Sequence, residues 1–167
     1  AVINAVGIVK QRKDAKEIIP SLEVNALFPH QLSLMCQAIN ARLIHISTDC
    51  IFDGKKGKYT QNDPSDAEDI YGKTKYLGEV NAPNAITLRT SIIGLELSRK
   101  TSLIEWFLAQ TGSIKGFKKA IYTGITTLEM SRVIELLLLK FPLLSGVFHL
   151  SSEPINKYDL LQILAQQ

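Results

Sequence analysis

Short apolar runs that alternate with longer helix-like patterns constrain the fold of this chain more than any other feature. The apolar runs cover residues 2–9, 42–47, 85–89 and 147–150, with a weaker one at 120–122. Runs that are apolar on both faces are typical of strands in a parallel sheet that helices cover on both sides. Five strands that alternate with five helices therefore predict an α/β fold, a doubly wound parallel sheet with ligands beyond the carboxyl ends of its strands.

Three helix starts fit the Ser/Thr-x-x-Glu capping box, in which a hydroxyl and a carboxylate satisfy free backbone N–H groups of the first turn. The pairs are Ser65 with Glu68, Ser102 with Glu105, and Thr126 with Glu129. The second of these helices is expected over residues 103–110. Two further helices are expected over residues 22–40 and from about Asn156 to the C-terminus.

The composition predicts one domain without a surface for nucleic acid. The 167 residues are 46% hydrophobic, which suffices for one sizeable core, and 19 basic against 16 acidic residues give a net charge of only +3. No apolar run reaches the ~18 residues of a membrane-spanning helix, and Cys36 and Cys50 lack a CxxC spacing. We therefore expect a cytoplasmic protein with a single α/β domain over residues 1–167, no nucleic-acid or membrane partner and no metal site.

Two strings carry the candidate chemistry, STDCIFDG at residues 47–54 and YGKTK at residues 71–75. Thr48 follows a buried strand, where α/β sheets bind their ligands. Tyr71 and Lys75 are four residues apart, so a helix places them on one face, although this pattern alone is more often a solvated surface. An ammonium group beside a phenol lowers the phenol pKa from its ordinary ~10. Tyr71 is therefore predicted to exchange a proton with a carbonyl or hydroxyl oxygen near neutral pH.

Several strings resemble, in order and spacing, the extended short-chain dehydrogenases/reductases, and among them the dTDP-4-dehydrorhamnose reductase branch. They are NAVG, VNALFPHQL, RLIHISTDCIFDG, YGKTKYLGE and LRTSIIG, within residues 1–95. The resemblance implies a Rossmann-like fold, an NADP or NAD cofactor, and reduction of the 4-keto group of a nucleotide-linked deoxy sugar. It also implies substrate-binding segments over about residues 91–167, where YTG matches a substrate loop, and leaves a homodimer open.

The resemblance further implies a role for individual residues. Thr48, Tyr71 and Lys75 match the catalytic Ser/Thr, Tyr and Lys, with Tyr71 as proton donor, and Asn25 matches an Asn that supports the lysine through water. The expected cofactor contacts are Ala5, Val6, Gly7, Ile8, Val9, Ser47, Tyr71 and Lys75. The expected substrate contacts are Thr48, Asp49, Thr90, Ser91 and Ile92.

Two departures from the family pattern, and one difference from sister enzymes of the superfamily, shape these expectations. No G-x-x-G-x-x-G turn precedes the first strand, and the chain opens at Ala1 inside an apolar run. We therefore expect the N-terminal strands and the pyrophosphate site to lie outside these residues, and the piece to be inactive alone. Cys50 replaces the Glu typical of sugar dehydratases in the superfamily, which favours reduction.

Ile92 stands where rhamnose reductases can carry an aromatic residue. The substrate could therefore also be a UDP-linked N-acetylated 4-keto-6-deoxy sugar. A hypothesis of another class is a non-catalytic nucleotide-binding or regulatory subunit, because the regulatory subunit of methionine adenosyltransferase resembles the same branch.

Overall fold

The strands are short, with two to five residues each. In the computed structural model, which describes residues 1–98 and 100–166, the strands are Val2–Asn4 (β1), Leu43–Ile46 (β2), Ala85–Arg89 (β3), Ile92–Ile93 (β4), Ile121–Tyr122 (β5), Ile125–Thr126 (β6), Gly146–His149 (β7) and Ile155–Asn156 (β8). Four of them form a parallel sheet in the order β1-β2-β3-β7. The predicted α/β fold with a parallel sheet is therefore confirmed.

The core of this sheet lies along β2 and β3. All five residues of β3 are buried, as are the first three of β2, which fits strands covered on both faces. One hydrophobic cluster joins Leu43 of β2 and Ala85 of β3 to Cys36, which lies in a helix, and Val80, which lies in the segment before β3. The apolar character that identified these strands in the sequence thus results from burial on both sides.

Two strand predictions need correction. In the run at residues 2–9 the strand ends at Asn4. Beyond it, side chains and not a neighbouring strand accept the backbone N–H groups: the Asn4 Oδ1 accepts the Val6 N–H (3.1 Å), and the Asn25 Oδ1 accepts the Ile8 N–H (2.8 Å). The run at 120–122 does not join the four-stranded sheet: β5 pairs antiparallel with β8. A strand of two residues carries too little pattern to identify its partner.

Helical segments follow the predicted order. They are α1 (Ile18–Ser21), a π-helix (Leu22–Leu27), α2 (Phe28–Ala38), α3 (Ile70–Leu77), α4 (Leu103–Leu108), α5 (Thr127–Leu139) and α6 (Lys157–Ala165), with 3₁₀ turns at Lys13–Lys16 and Asp49–Ile51. The helix expected over residues 22–40 begins earlier, at Ile18. It ends at Ala38, just before Asn40 adopts a positive φ of 52°.

Two of the three predicted capping boxes are wrong, those at α3 and α4. Helix α3 begins at Ile70, and its cap is Asp69, whose Oδ1 accepts the Gly72 N–H at 2.8 Å. Ser65 instead donates to the Ile51 carbonyl oxygen at 2.7 Å. Asp is as good an N-cap as Ser, and the loop before α3 offers both within five positions, so the sequence pattern selected the wrong one.

The other two helix starts are correct, but only one uses its predicted hydroxyl. Thr126 accepts the Glu129 N–H at 3.1 Å, as a capping box requires. At α4 the Glu105 Oε1 accepts the Glu96 N–H (3.0 Å), and the Glu96 Oε2 accepts the Ser102 N–H (3.0 Å). A carboxylate from the preceding loop therefore replaces the predicted cap of α4.

The chain divides into two compact units. One comprises Ala1–Thr90 with Ser131–Leu150 and contains the four-stranded sheet; the other comprises Ser91–Met130 with Ser151–Gln167 and contains the pairs β4-β6 and β5-β8. The expectation of one domain with substrate-binding segments from about residue 91 stays a prediction. Among the described residues, every helix is too short or too polar to cross a bilayer.

Candidate active site

Thr48 and Tyr71 lie together beyond the carboxyl end of β2. Thr48 caps the 3₁₀ turn that follows the strand, since its Oγ1 accepts the Cys50 N–H at 3.1 Å. Tyr71 occupies the first turn of α3, and the side chain of the nearby Thr48 acts to lower the pKa of its phenol. The neighbouring Asp49 accepts a long hydrogen bond from the Thr48 hydroxyl, 3.3 Å. The two predicted strings thus meet in space.

Two glycines allow α3 to approach this strand end so closely. A methyl group at Gly72 would overlap the Cys50 carbonyl oxygen, and one at Gly78 would overlap the Asn25 carbonyl oxygen. Gly72 thus lets the start of α3 lie against the turn after Thr48. Gly78 lets the C-terminal end of α3 lie against the π-helix. The glycines of YGKTKYLGE are therefore needed for the position of Tyr71.

Burial controls the protonation of Tyr71. Desolvation raises the pKa of the phenol to about 12, and the nearby Cys50, Asp49 and Asp69 act in the same direction, while the Thr48 side chain opposes them. The prediction that Lys75 lowers this pKa is wrong, because the Lys75 ammonium is directed at the strand backbone and donates to the Ile46 carbonyl oxygen at 2.8 Å. Tyr71 is therefore a protonated phenol at neutral pH.

Lys75 is itself buried, with 5% of its surface exposed. Burial lowers the pKa of its ammonium to about 8, and the Glu79 carboxylate partly offsets this effect. A hydrogen bond to Ile46 fixes the side chain against β2. Lys75 thus changes charge within reach of physiological pH.

Asn25 joins three parts of the site from within the π-helix. Its Oδ1 accepts the Ile8 N–H (2.8 Å), and its Nδ2 donates to the Ile8 carbonyl oxygen (3.0 Å) and to the Thr74 Oγ1 (3.3 Å). A π-helix inside an α-helix often marks a functional position. Asn25 therefore ties the loop after β1 to α3, next to Lys75; the water-mediated support of Lys75 stays a prediction.

The loop of residues 5–9 follows β1 at the same edge of the sheet. The Asn4 side chain accepts a hydrogen bond from the Val6 N–H, and the Asn25 side chain forms hydrogen bonds with both the N–H and the carbonyl oxygen of Ile8. The side chain of Ile8 is buried. Gly7 is half-buried, and a methyl group there would lie 3.3 Å from the Asn25 Oδ1. The exposed surface of this loop consists of Ala5, Val6 and Val9.

The remaining predicted contacts are placed differently. Ser47 is buried and donates to the Glu79 Oε1 at 2.9 Å, and Thr90 is buried at the end of β3. Ser91 and Ile92 belong to the second unit. The predicted set is therefore distributed over both units, and its binding roles stay predictions.

Sequence reasoning missed two buried polar pairs. Glu79 and Arg89 form an ion pair of 2.8 Å, and Asn4 Nδ2 lies 3.0 Å from His45 Nδ1. The sequence shows only that a polar residue stands inside or at the end of an apolar run. Such a residue does not reveal which other residue of the chain it pairs with.

Known relatives place this geometry in a family. The chain is 27% identical to dTDP-4-dehydrorhamnose reductase of Aggregatibacter actinomycetemcomitans over 169 residues, covering 95% of this chain and 58% of that protein. It is 31% identical to methionine adenosyltransferase 2 subunit beta of Danio rerio over 148 residues, covering 80% of this chain and 45% of that protein. The fold matches a dTDP-4-dehydrorhamnose reductase of Bacillus anthracis, solved in complex with NADP, with a TM-score of 0.82 and 20% identity over 98% of this chain and 60% of that one.

The chain thus spans less than two thirds of the length of these proteins. The Rossmann-like fold and the branch suggested by the sequence strings are both confirmed. The family described as RmlD substrate binding domain matches residues 4–113, most of the chain, and the chain belongs to it.

Proposed function

We propose that the protein containing these residues reduces the 4-keto group of a nucleotide-linked deoxy sugar, with NADPH or NADH as the hydride source. The observation that carries this proposal is the pairing of Thr48 with a protonated Tyr71 beyond the carboxyl end of β2. Membership of the family and the similarity to a named dTDP-4-dehydrorhamnose reductase support the same reaction class.

Tyr71 is the proposed proton donor. A carbonyl that receives a hydride at carbon must receive a proton at oxygen, and a phenol with a pKa of about 12 carries that proton at every physiological pH. Thr48, beside the phenol, orients the same oxygen through its hydroxyl. Asp49 lies next to Thr48 and is the proposed contact to the sugar hydroxyls.

The residues present fit the nicotinamide half of a dinucleotide, which supplies the hydride when bound. Val6 and Val9 offer exposed apolar surface on a loop that Asn4 and Asn25 hold in place. Lys75, fixed next to this loop by Ile46, is the proposed ribose contact. The glycine-rich turn that holds a pyrophosphate does not occur in the 167 residues.

A second candidate function is a non-catalytic regulatory subunit. It is favoured by the 31% identity to methionine adenosyltransferase 2 subunit beta over 80% of the chain. The two candidates differ in turnover, since only a reductase oxidises the nicotinamide cofactor when a keto sugar is present.

Replacing Tyr71 by Phe tests the reductase directly. The protein would be assayed for NADPH or NADH oxidation with a dTDP-linked and a UDP-linked 4-keto-6-deoxy sugar. We expect Tyr71→Phe to lower kcat by at least about 100-fold, since general acid catalysis contributes that much, while nucleotide-sugar binding persists. The matched control is Tyr76→Phe, a tyrosine of α3 that is 42% exposed. Turnover within tenfold of the parent would refute Tyr71 as the acid, and binding without turnover in the parent would favour the regulatory subunit.

A further inference from the structure

Glu79 and Arg89 form a buried ion pair beside the candidate site. The Arg89 Nε donates to the Glu79 Oε1 and the Nη2 to the Oε2, both at 2.8 Å. Their side chains are 6% and 7% exposed, respectively. A buried ion pair is costly to desolvate and adds little net stability compared with apolar residues of the same volume. The role of this pair must therefore come from the other contacts of the two side chains and not from the stability that the ion pair adds.

Those contacts reach three strand ends and one loop. The Glu79 Oε1 also accepts the hydroxyl hydrogen of Ser47, the residue before Thr48, at 2.9 Å. The Arg89 Nη1 donates to the Gln61 carbonyl oxygen at 3.1 Å and lies 3.3 Å from the His149 Nε2. Since β2, β3 and β7 end near these residues, Arg89 links the ends of β3 and β7 to residue 61 directly, and the end of β2 through Glu79.

The linked segment, residues 52–64, is the first part of the connection between Thr48 and Tyr71. It makes two further contacts with these strands: the Gln61 Nε2 donates to the carbonyl oxygen of Val147, within β7, at 3.2 Å, and the Arg89 guanidinium lies 5.6 Å from the Phe52 ring centre. Phe52 in turn stacks on Tyr59, with ring centres 4.3 Å apart. The loop is therefore packed internally and attached to the sheet through Arg89 and Gln61.

We propose that Glu79 and Arg89 are positioning residues, which hold the loop of residues 52–64, between Thr48 and Tyr71, against the carboxyl ends of β2, β3 and β7, the edge where α/β sheets bind their ligands. The effect on substrate rests on the proposed function, whereas the attachment of the loop does not. Arg89 is suited to this task because its planar fork can serve a carboxylate on one side and a carbonyl oxygen on the other.

The test removes both charges together, because one charge left alone in this position would itself destabilise the protein. In the double variant Glu79→Leu with Arg89→Met, hydrogen exchange of peptides covering residues 52–66 is measured without ligand. We expect exchange at least about tenfold faster in this loop. Lys10→Met is the control, because it removes an exposed ion pair, Lys10 with Asp69, from the same unit.

Kinetics then give the second readout. The double variant should raise the KM for the sugar nucleotide about tenfold or more and change kcat far less, since Thr48 and Tyr71 remain in place. Arg89→Lys serves if the double variant does not fold: it keeps the charge but lacks the fork, so it should release the loop as well. Unchanged loop exchange in the folded variants would overturn the proposal. Faster exchange in a protein whose parent shows no turnover would support the attachment and refute the reductase instead.

Discussion

Burial governs the protonation of Tyr71 and Lys75 in the YGKTK string. Desolvation favours the neutral form of each side chain, so the pKa of Tyr71 is raised to about 12 and that of Lys75 is lowered to about 8. The sequence correctly predicts that both residues lie on α3 near Thr48. It could not predict the direction of their pKa shifts, because this depends on the Ile46 carbonyl that takes the Lys75 ammonium away from the phenol.

A pH–rate profile tests whether reduction depends on the charge of Lys75. Below pH 8 Lys75 is charged and Tyr71 is protonated, the combination that reduction needs if Lys75 holds the cofactor ribose. We therefore expect the reductive kcat/KM to fall as pH rises through about 8, well before Tyr71 loses its proton. Lys75→Met, measured at saturating cofactor, should show low activity without that break. A parent profile that stays level to pH 10, or a break that persists in Lys75→Met, would contradict this role of Lys75.

Among the elements, α3 depends most on close backbone contact. Gly72 and Gly78 allow it to rest on the Cys50 and Asn25 carbonyl oxygens, and the Asn25 side chain then bonds Thr74. The sequence predicts a helix here, but places its cap at Ser65 rather than Asp69. The sequence gives no indication of the π-helix around Asn25, since one wider turn between α1 and α2 hardly changes the spacing of the apolar residues. Packing between elements decides such details, and local pattern does not.

Gly78→Ala tests the contact between α3 and the π-helix. A methyl group would overlap the Asn25 carbonyl oxygen, which belongs to the backbone and cannot move without shifting the π-helix. We expect a loss of about 1–3 kcal/mol in the free energy of unfolding, as for other overpacked sites. The control, Lys73→Ala, changes an exposed residue of the same helix. Equal urea midpoints for the two variants would contradict the close approach.

At the scale of the whole sheet, polar residues form one buried row across three parallel strands. Asn4 of β1 pairs in register with His45 of β2, which pairs with Thr87 of β3. Asn4 Nδ2 lies 3.0 Å from His45 Nδ1, and the Thr87 hydroxyl bonds both backbone groups of Val80. The sequence predicts the strands but not this row, because register joins positions 41 and 42 residues apart.

His45 makes the sheet sensitive to acid. Burial, assisted by the nearby Lys75 and His30, lowers the pKa of His45 from 6.5 to about 3. The unfolded chain therefore binds a proton below pH 6.5 that the folded chain does not bind until about pH 3. The stability due to neutral His45 is complete above pH 6.5 and is lost as pH falls, by about 2 kcal/mol at pH 5.

Urea unfolding at pH 7.5 and pH 5.0 measures this loss. His45→Gln cannot take up the proton, and its amide oxygen can still accept from Asn4, so this variant should lose about 2 kcal/mol less than the parent between the two pH values. His30→Gln changes an exposed histidine that only assists the much larger effect of burial on His45, so this variant should lose nearly as much as the parent. His149, whose pKa is also lowered from 6.5 by burial, is acid-sensitive in the same pH range but is present in all of these proteins, so the difference between them isolates His45. Asp53 and Asp63, whose pKa values are lowered from 3.8, contribute mainly at lower pH. If the parent and His45→Gln lose equal stability, His45 is not the acid-sensitive residue of the sheet.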